Sequence, residues 1–196
     1  MPVTGLTGNL ASGKSEVARM LKRKGAVVFD ADALVHRCYR DKKSGVYKKI
    51  GVCFPKALVG GVISRKKLGR IVFKDKNKLK ILERIVHPLV IKELKKWIRQ
   101  NKKKKRVYLA EVPLLFEKRL ASYFDKVVLV KAKRQVLIKR AGKKYNLSQS
   151  EVVKRLSLYM PIIRKIKGSD YIVNNNFSLK QLNKEVDLLW EKIRKR

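Results

Sequence analysis

Short apolar runs and helix-period segments alternate along the chain. Residues 3–7 (Val-Thr-Gly-Leu-Thr) are apolar and β-compatible, and a glycine-containing loop follows them. From 14 to 24 the spacing of Val17, Ala18, Met20 and Leu21 on one side predicts a helix, and Gly25 supplies its stop. Residues 26–29 form a second apolar run, closed by Asp30-Ala31-Asp32. A strand, a helix and a strand in so short a span open an α/β protein with parallel strands.

The pattern then turns helical for about seventy residues, too long for an ordinary crossover between neighbouring strands. Helices are expected from near Asp32, over 45–51, and from Ser64, a good N-cap, through Phe73. Asn77 is placed to cap another, which Pro88 either kinks or divides before it reaches Trp97 and Ile98. Strands return at 107–110 and 126–130, rich in β-branched residues as buried parallel strands are. Basic helices follow at 133–144 and 148–158. A last strand at 171–173 precedes an amphipathic helix capped by Ser178 and bearing Leu182, Val186, Leu189 and Trp190. The prediction is a three-layer α/β/α fold of the P-loop NTPase type with a five-stranded parallel sheet. Its core would comprise about 1–32, 105–135 and 168–196, with a helical insertion over 33–104 and a helical lid over 136–167.

Composition changes this picture little, and charge changes it more. With 196 residues, 45% of them hydrophobic, the chain can bury a core without disulfides or metal. The two cysteines, Cys38 and Cys53, make no zinc quartet or disulfide framework and read as ordinary semi-buried thiols. Lys and Arg number 51 against 15 Asp and Glu, a formal charge of +36, which points to phosphate-rich partners and says nothing of the fold. A nucleic-acid binder therefore has to be weighed, but interleaved aromatics and a recognition motif are missing. The run 102–106 reads as a solvated loop. No stretch of 18 apolar residues occurs, and the first residues lead straight into a structured motif, so a cytoplasmic protein without a membrane partner is expected.

The strongest chemical signal is Gly8-Asn9-Leu10-Ala11-Ser12-Gly13-Lys14-Ser15, a GxxxxGKS phosphate loop in its required place between strand and helix. Its glycines let backbone N–H groups curl around phosphate oxygens, Lys14 is placed for the β- and γ-phosphates of ATP, and the Ser15 hydroxyl for Mg²⁺. The nucleotide-contacting run extends through Glu16 at the positive end of the helix. Asp30 and Asp32 follow the second strand, at the carboxyl edge where parallel-sheet sites gather. Two carboxylates there can divide labour, one near Mg²⁺ or its waters and one receiving a proton from an acceptor hydroxyl; either could instead cap the next helix. Glu111, ending the third strand, is a further candidate for the magnesium shell through water. Arg134, Lys139, Arg140, Lys143, Lys144, Lys154 and Arg155 make a basic segment able to close over ATP. The acidic pair favours a small-molecule kinase over a switch GTPase or a motor.

Taken with Leu68, Val72-Phe73, His87-Pro88, Pro113-Leu114-Leu115-Phe116-Glu117, Asp170 and Asn175, these motifs resemble the dephospho-coenzyme A kinase family from residue 3 to about 175. The resemblance implies transfer of the γ-phosphoryl of ATP to the ribose 3′-hydroxyl of dephospho-coenzyme A, the final step of coenzyme A biosynthesis. It further implies that Asp32 binds the acceptor hydroxyl and acts as base, and that Arg65, His87 and Leu114, Leu115 and Phe116 contact the acceptor. Arg140 would be the lid arginine, backed by Arg155 and Lys144. Asn9-Leu10-Ala11 stands where the family commonly has Gly-Ile-Gly, and Ala11 fits if its φ stays negative. Glu16 replaces Thr, Glu111 a frequent Asp and Tyr159 a frequent Gln. The rivals are another small-molecule kinase, for a nucleoside or nucleotide, and a nucleic-acid-binding NTPase. A monomer or weak oligomer without a specific nucleic-acid partner is expected. His36 reads as a helix residue with a local partner, and Trp97 and Trp190 as packing residues.

Overall fold

A computed structural model describes residues 3–101 and 105–194. In chain order the elements are β1 (Val3–Thr7), α1 (Lys14–Arg23), β2 (Val27–Asp30), α2 (Ala31–Cys38), α3 (Gly45–Cys53), β3 (Leu58–Val59), β4 (Val62–Ile63), α4 (Arg65–Val72) and α5 (Lys76–Asn101). They continue with β5 (Tyr108–Glu111), β6 (Lys126–Lys131), α6 (Arg134–Tyr145), α7 (Gln149–Leu156), α8 (Ile162–Lys167), β7 (Tyr171–Asn174) and α9 (Leu179–Arg194). The chain divides into two units, one built from the segment up to Phe29 and from Trp97 onward, the other from Asp30 to Lys96.

The larger unit carries the five-stranded sheet, in the order β2-β5-β1-β6-β7. The central strand β1 runs parallel to both β5 and β6, and β6 parallel to β7. All five residues of β1 are buried. Gly5 belongs there because a methyl group would lie 2.6 Å from a Leu115 side-chain carbon. A core of Leu6, Leu109, Val128 and Val130 from the strands meets Val17 and Leu21 of α1 and Val186 and Leu189 of α9. Both helices therefore bury the apolar stripe their periodicity marks. Trp97 packs against Phe29 and Tyr108, with ring centroids 5.5 and 5.8 Å apart, and Trp190 is partly buried against the core.

The smaller unit gathers Tyr39, Val46, Ile50, Phe54, Ile63, Leu68 and Val72 into its own apolar cluster. It departs from the sequence-based expectation in two places. A two-stranded antiparallel hairpin, β3–β4, turns at Gly60 and Gly61, both at positive φ. Asp75, not Asn77, caps α5, accepting from the Asn77 and Lys78 N–H groups. Of the two outcomes offered for Pro88, division of the helix is excluded: α5 is one helix through it, although the proline removes one N–H from the helix ladder. In the larger unit α8 was not foreseen. Cys38 is half-buried and Cys53 exposed. Among the described residues no helix is long and apolar enough to cross a membrane. The basic run 102–106 lies partly outside the described residues, and Lys105 and Arg106 are exposed.

Candidate active site

The phosphate loop leaves β1 and enters α1. Its two glycines answer to crowding from behind: a methyl on Gly8 would lie 2.3 Å from the Val130 carbonyl oxygen, and one on Gly13 2.1 Å from the Asn175 amide nitrogen. Gly13 also stands at φ 95°, which a side chain would strain, and caps α1 through its backbone. Lys14 is only 8% exposed, and its ammonium donates to the carbonyls of Gly8 (2.8 Å) and Asn9 (2.9 Å). The buried Ser12 hydroxyl has no hydrogen-bond partner, an orphaned donor at the mouth of a loop built for anions. Ala11 does not meet the condition of a negative φ: it stands at 56°, in the left-handed region, which costs a residue with a Cβ about 1 kcal/mol. Its methyl and the Leu10 side chain pack against Leu137, Ala141, Val152 and Leu156 of α6 and α7, which offsets that strain. Glu16 pairs with Arg19 one turn along α1.

Ser15 and Glu111, assigned to magnesium from separate parts of the sequence, meet here. The Ser15 hydroxyl donates to Glu111 Oε1 at 2.7 Å, and Glu111 is 5% exposed at the end of β5. The register of β1 with β5, Leu6 opposite Glu111, brings the carboxylate to the edge where the loop starts. A hydroxyl and a carboxylate are hard oxygen donors and suit Mg²⁺, which binds through one or two carboxylates and completes its shell with water and phosphate. Among the described residues no group of three or more His, Cys, Asp or Glu forms a protein-only cage, and such a cation needs none.

A residue to which the motifs gave no role braces the loop. Asn175, 7% exposed and just past β7, donates from its amide to the Ser12 carbonyl at 2.9 Å. Its own N–H donates to the Lys131 carbonyl, and its carbonyl accepts from Arg140 at 2.8 Å. Arg140 reaches the Phe177 carbonyl as well, at 3.4 Å. The expected lid arginine thus sits on backbone carbonyls beside the loop. Arg155 is half-buried; burial holds its guanidinium below the usual range against the pull of Glu151. Lys144 lies over the Tyr145 ring.

In the smaller unit, Asp30 caps α2, its carboxylate accepting from the Ala33 N–H at 2.8 Å. Asp32 in the first turn of α2 and Arg65 at the start of α4 are both exposed, and the charges of both reach His36 and Tyr39. Burial, then the Arg65 charge, hold the His36 imidazole below its ordinary value, with Asp32 and Asp30 pulling the other way. Burial pushes the Tyr39 hydroxyl up to about 12, with Arg65 opposing and Asp32 assisting. Asp32 and Arg65, the two predicted acceptor residues, therefore share one electrostatic neighbourhood, and His36 is its neutral member. His87 is half-buried inside α5. In the larger unit Leu114 and Phe116 are half-exposed. Leu115 is wholly buried under Gly5 and has no surface to offer a ligand, so it anchors the segment from below.

A phosphate loop between the central strand and a helix, with a serine–carboxylate pair beside it, defines a P-loop phosphotransferase. The model of the dephospho-CoA kinase family matches residues 2–181. A dephospho-CoA kinase of Aquifex aeolicus is 39% identical over 191 residues, covering 96% of both chains. Among solved structures, one from Thermus thermophilus superposes with a TM-score of 0.75 at 34% identity, covering 97% of each chain. A dephospho-CoA kinase from Campylobacter jejuni gives 0.68 at 26% identity, over 98% of this chain and 97% of that one. The chain belongs to the dephospho-CoA kinase family.

Proposed function

We propose that the chain transfers the γ-phosphoryl group of ATP to the ribose 3′-hydroxyl of dephospho-coenzyme A, with the loop around Lys14 as donor site and Asp32 as base. The observation that carries this is the Ser15–Glu111 contact of 2.7 Å beside the buried Lys14. It joins a hydroxyl and a carboxylate next in sequence to a buried ammonium, the kinds of group that a triphosphate and its cation require, which supports the reading. Lys14 exchanges the Gly8 and Asn9 carbonyls for β- and γ-phosphate oxygens, and the Ser12 hydroxyl gains the acceptor it lacks. Ser15 would hold Mg²⁺ directly, with Glu111 and the free oxygen of Asp30 acting through water. When bound, the ion neutralises charge on the phosphate oxygens.

Asp32 accepts the proton of the 3′-hydroxyl as its oxygen bonds to the γ-phosphorus. The bond to the bridging oxygen breaks, and ADP leaves. Arg65 faces the anionic groups of the acceptor, which His87, Leu114 and Phe116 also contact. The insertion 33–104 carries acceptor recognition and the lid 136–167 excludes water. Arg140 serves the nucleotide from its seat against Asn175. The reading extends to a cytoplasmic monomer or weak oligomer with no specific nucleic-acid partner.

The decisive experiment incubates the purified protein with ATP, Mg²⁺ and dephospho-coenzyme A, and separately with nucleosides and nucleotides. Coenzyme A and ADP are expected in equal amounts from the first mixture alone. Phosphorylation of nucleosides with no coenzyme A formed would overturn the assignment.

A further inference from the structure

The phosphotransfer chemistry leaves one buried ion pair unused. Lys165, in α8, has no exposed surface, and its ammonium lies 2.7 Å from Glu117 Oε1. The same oxygen accepts from the Met160 N–H at 2.8 Å, while Glu117 Oε2 is buried without a hydrogen-bond partner and the Lys165 ammonium meets Glu117 as an ion pair not aligned as a hydrogen bond. The Lys165 ammonium also stands 5.0 Å from the centre of the Tyr159 ring. Tyr159 is one of the positions where the sequence departs from the family's frequent residue, and its ring supplies the negative face that a buried cation favours.

The pair's position gives it a use. Glu117 directly follows Leu114, Leu115 and Phe116, in a turn closed by N–H donation from Lys118 to Leu114 and from Leu120 to Leu115. Tyr159, Met160 and Lys165 belong to the stretch between α7 and β7. A second contact joins the same two stretches: the Phe116 ring lies over Gly168, where a methyl would come within 2.7 Å of it. Leu115 fixes the turn from below by its burial under Gly5, but nothing in that apolar contact sets the angle at which Leu114 and Phe116 are presented. The Met160 N–H donated to Glu117 Oε1, with the Lys165 charge 2.7 Å from the same oxygen, does, because the first bond is directional and the second attraction is short and shielded from water.

We propose that Glu117 and Lys165 are positioning residues for acceptor binding, holding the 114–117 turn so that Leu114 and Phe116 meet dephospho-coenzyme A. This rests on the reading of Leu114 and Phe116 as acceptor contacts. Burial depresses the Lys165 pKa and the bond to Glu117 raises it, so the charged form depends on its partner. A pair that served stability alone would be replaceable by apolar residues of similar shape, as buried pairs often are.

Two variants test the role, each assayed for melting temperature and for KM and kcat with both substrates. Glu117→Asp keeps the charge but shortens the reach and draws the turn toward α8. The double variant Glu117→Gln with Lys165→Met removes both charges at nearly constant shape. Both are expected to raise KM for dephospho-coenzyme A at least about fivefold, because a displacement near 1 Å is costly in a positioned site. KM for ATP should stay within about twofold, since the phosphate loop is untouched. Unchanged acceptor KM in either folded variant would overturn the proposal, as would equal rises in both KM values. Failure of even Glu117→Asp to fold would assign the pair to stability and overturn it too. A wild-type enzyme inactive on dephospho-coenzyme A would strike the proposed reaction instead. The positioning role would then be read from calorimetric binding of that compound to wild type and variants, with undiminished binding counting against it.

Discussion

Lys14 ties the phosphate loop to itself. Its ammonium bridges two loop carbonyls, so the buried cation has acceptors within the loop. On the proposed reading, removing it strips the triphosphate of its nearest fixed charge, and removing the Asp32 carboxylate strips the acceptor of its base. Lys14→Ala and Asp32→Asn are each expected to lower turnover at least about 100-fold in a steady-state assay. Near-normal turnover in either would take that residue out of the mechanism. His36 gives a prediction of a different kind. Its folded pKa lies below the ordinary 6.5, chiefly through burial, so between those two values the unfolded chain binds more protons. Stability should therefore be complete above pH 6.5 and decline as pH falls toward the lowered folded value. His36→Gln should flatten that slope in denaturant melts across the window; an unchanged slope would assign it to other groups.

Among the elements, the loop after β7 acts furthest from its place in sequence. Asn175 braces the Ser12 carbonyl from a residue 163 positions away, and Arg140 of α6 braces Asn175. Asn175→Ala should raise KM for ATP by about fivefold to 100-fold, the roughly 1–3 kcal/mol of an unpaired buried carbonyl, and leave the acceptor KM alone. Asn175→Asp should be worse, because it replaces a donor with a charge that repels phosphate. Equal ATP KM values in wild type and both variants would remove Asn175 from the nucleotide site. The phosphate loop, the five core strands and the helix starts at Ser64, Ser148 and Ser178 were legible because each carries a local pattern, of spacing, of β-branching or of a capping hydroxyl. The Asn175 brace was not, since a contact across so long a separation leaves no periodicity. Helix α8 has six residues and no side-chain cap, and the strands of the β3–β4 hairpin have two residues each, all below the length at which a repeat shows. Pro88 left two outcomes open because the tolerance of one missing N–H depends on the packing of the whole helix. The left-handed φ of Ala11 was not legible because its compensation lies in α6 and α7, outside the loop.

On the scale of the whole molecule, a charge of +36 surrounds a reaction between two polyphosphorylated compounds. Such a field raises the local concentration of anions and fades with added salt, the screening length being about 10 Å at 0.1 M. KM for ATP should climb several-fold between roughly 0.05 and 0.5 M salt while kcat changes little. A salt-independent KM would mean that the surface charge serves something other than substrate capture. The field is diffuse, whereas the wedge of Leu10 and Ala11 among the α6 and α7 side chains is local. It makes the tip of the cradle and a helical pair one mechanical body, so whatever quiets the first must be felt in the second. Nucleotide bound at the loop should slow amide exchange across residues 137–156, including positions that never meet it, and Leu10→Ala should confine the slowing to the loop itself.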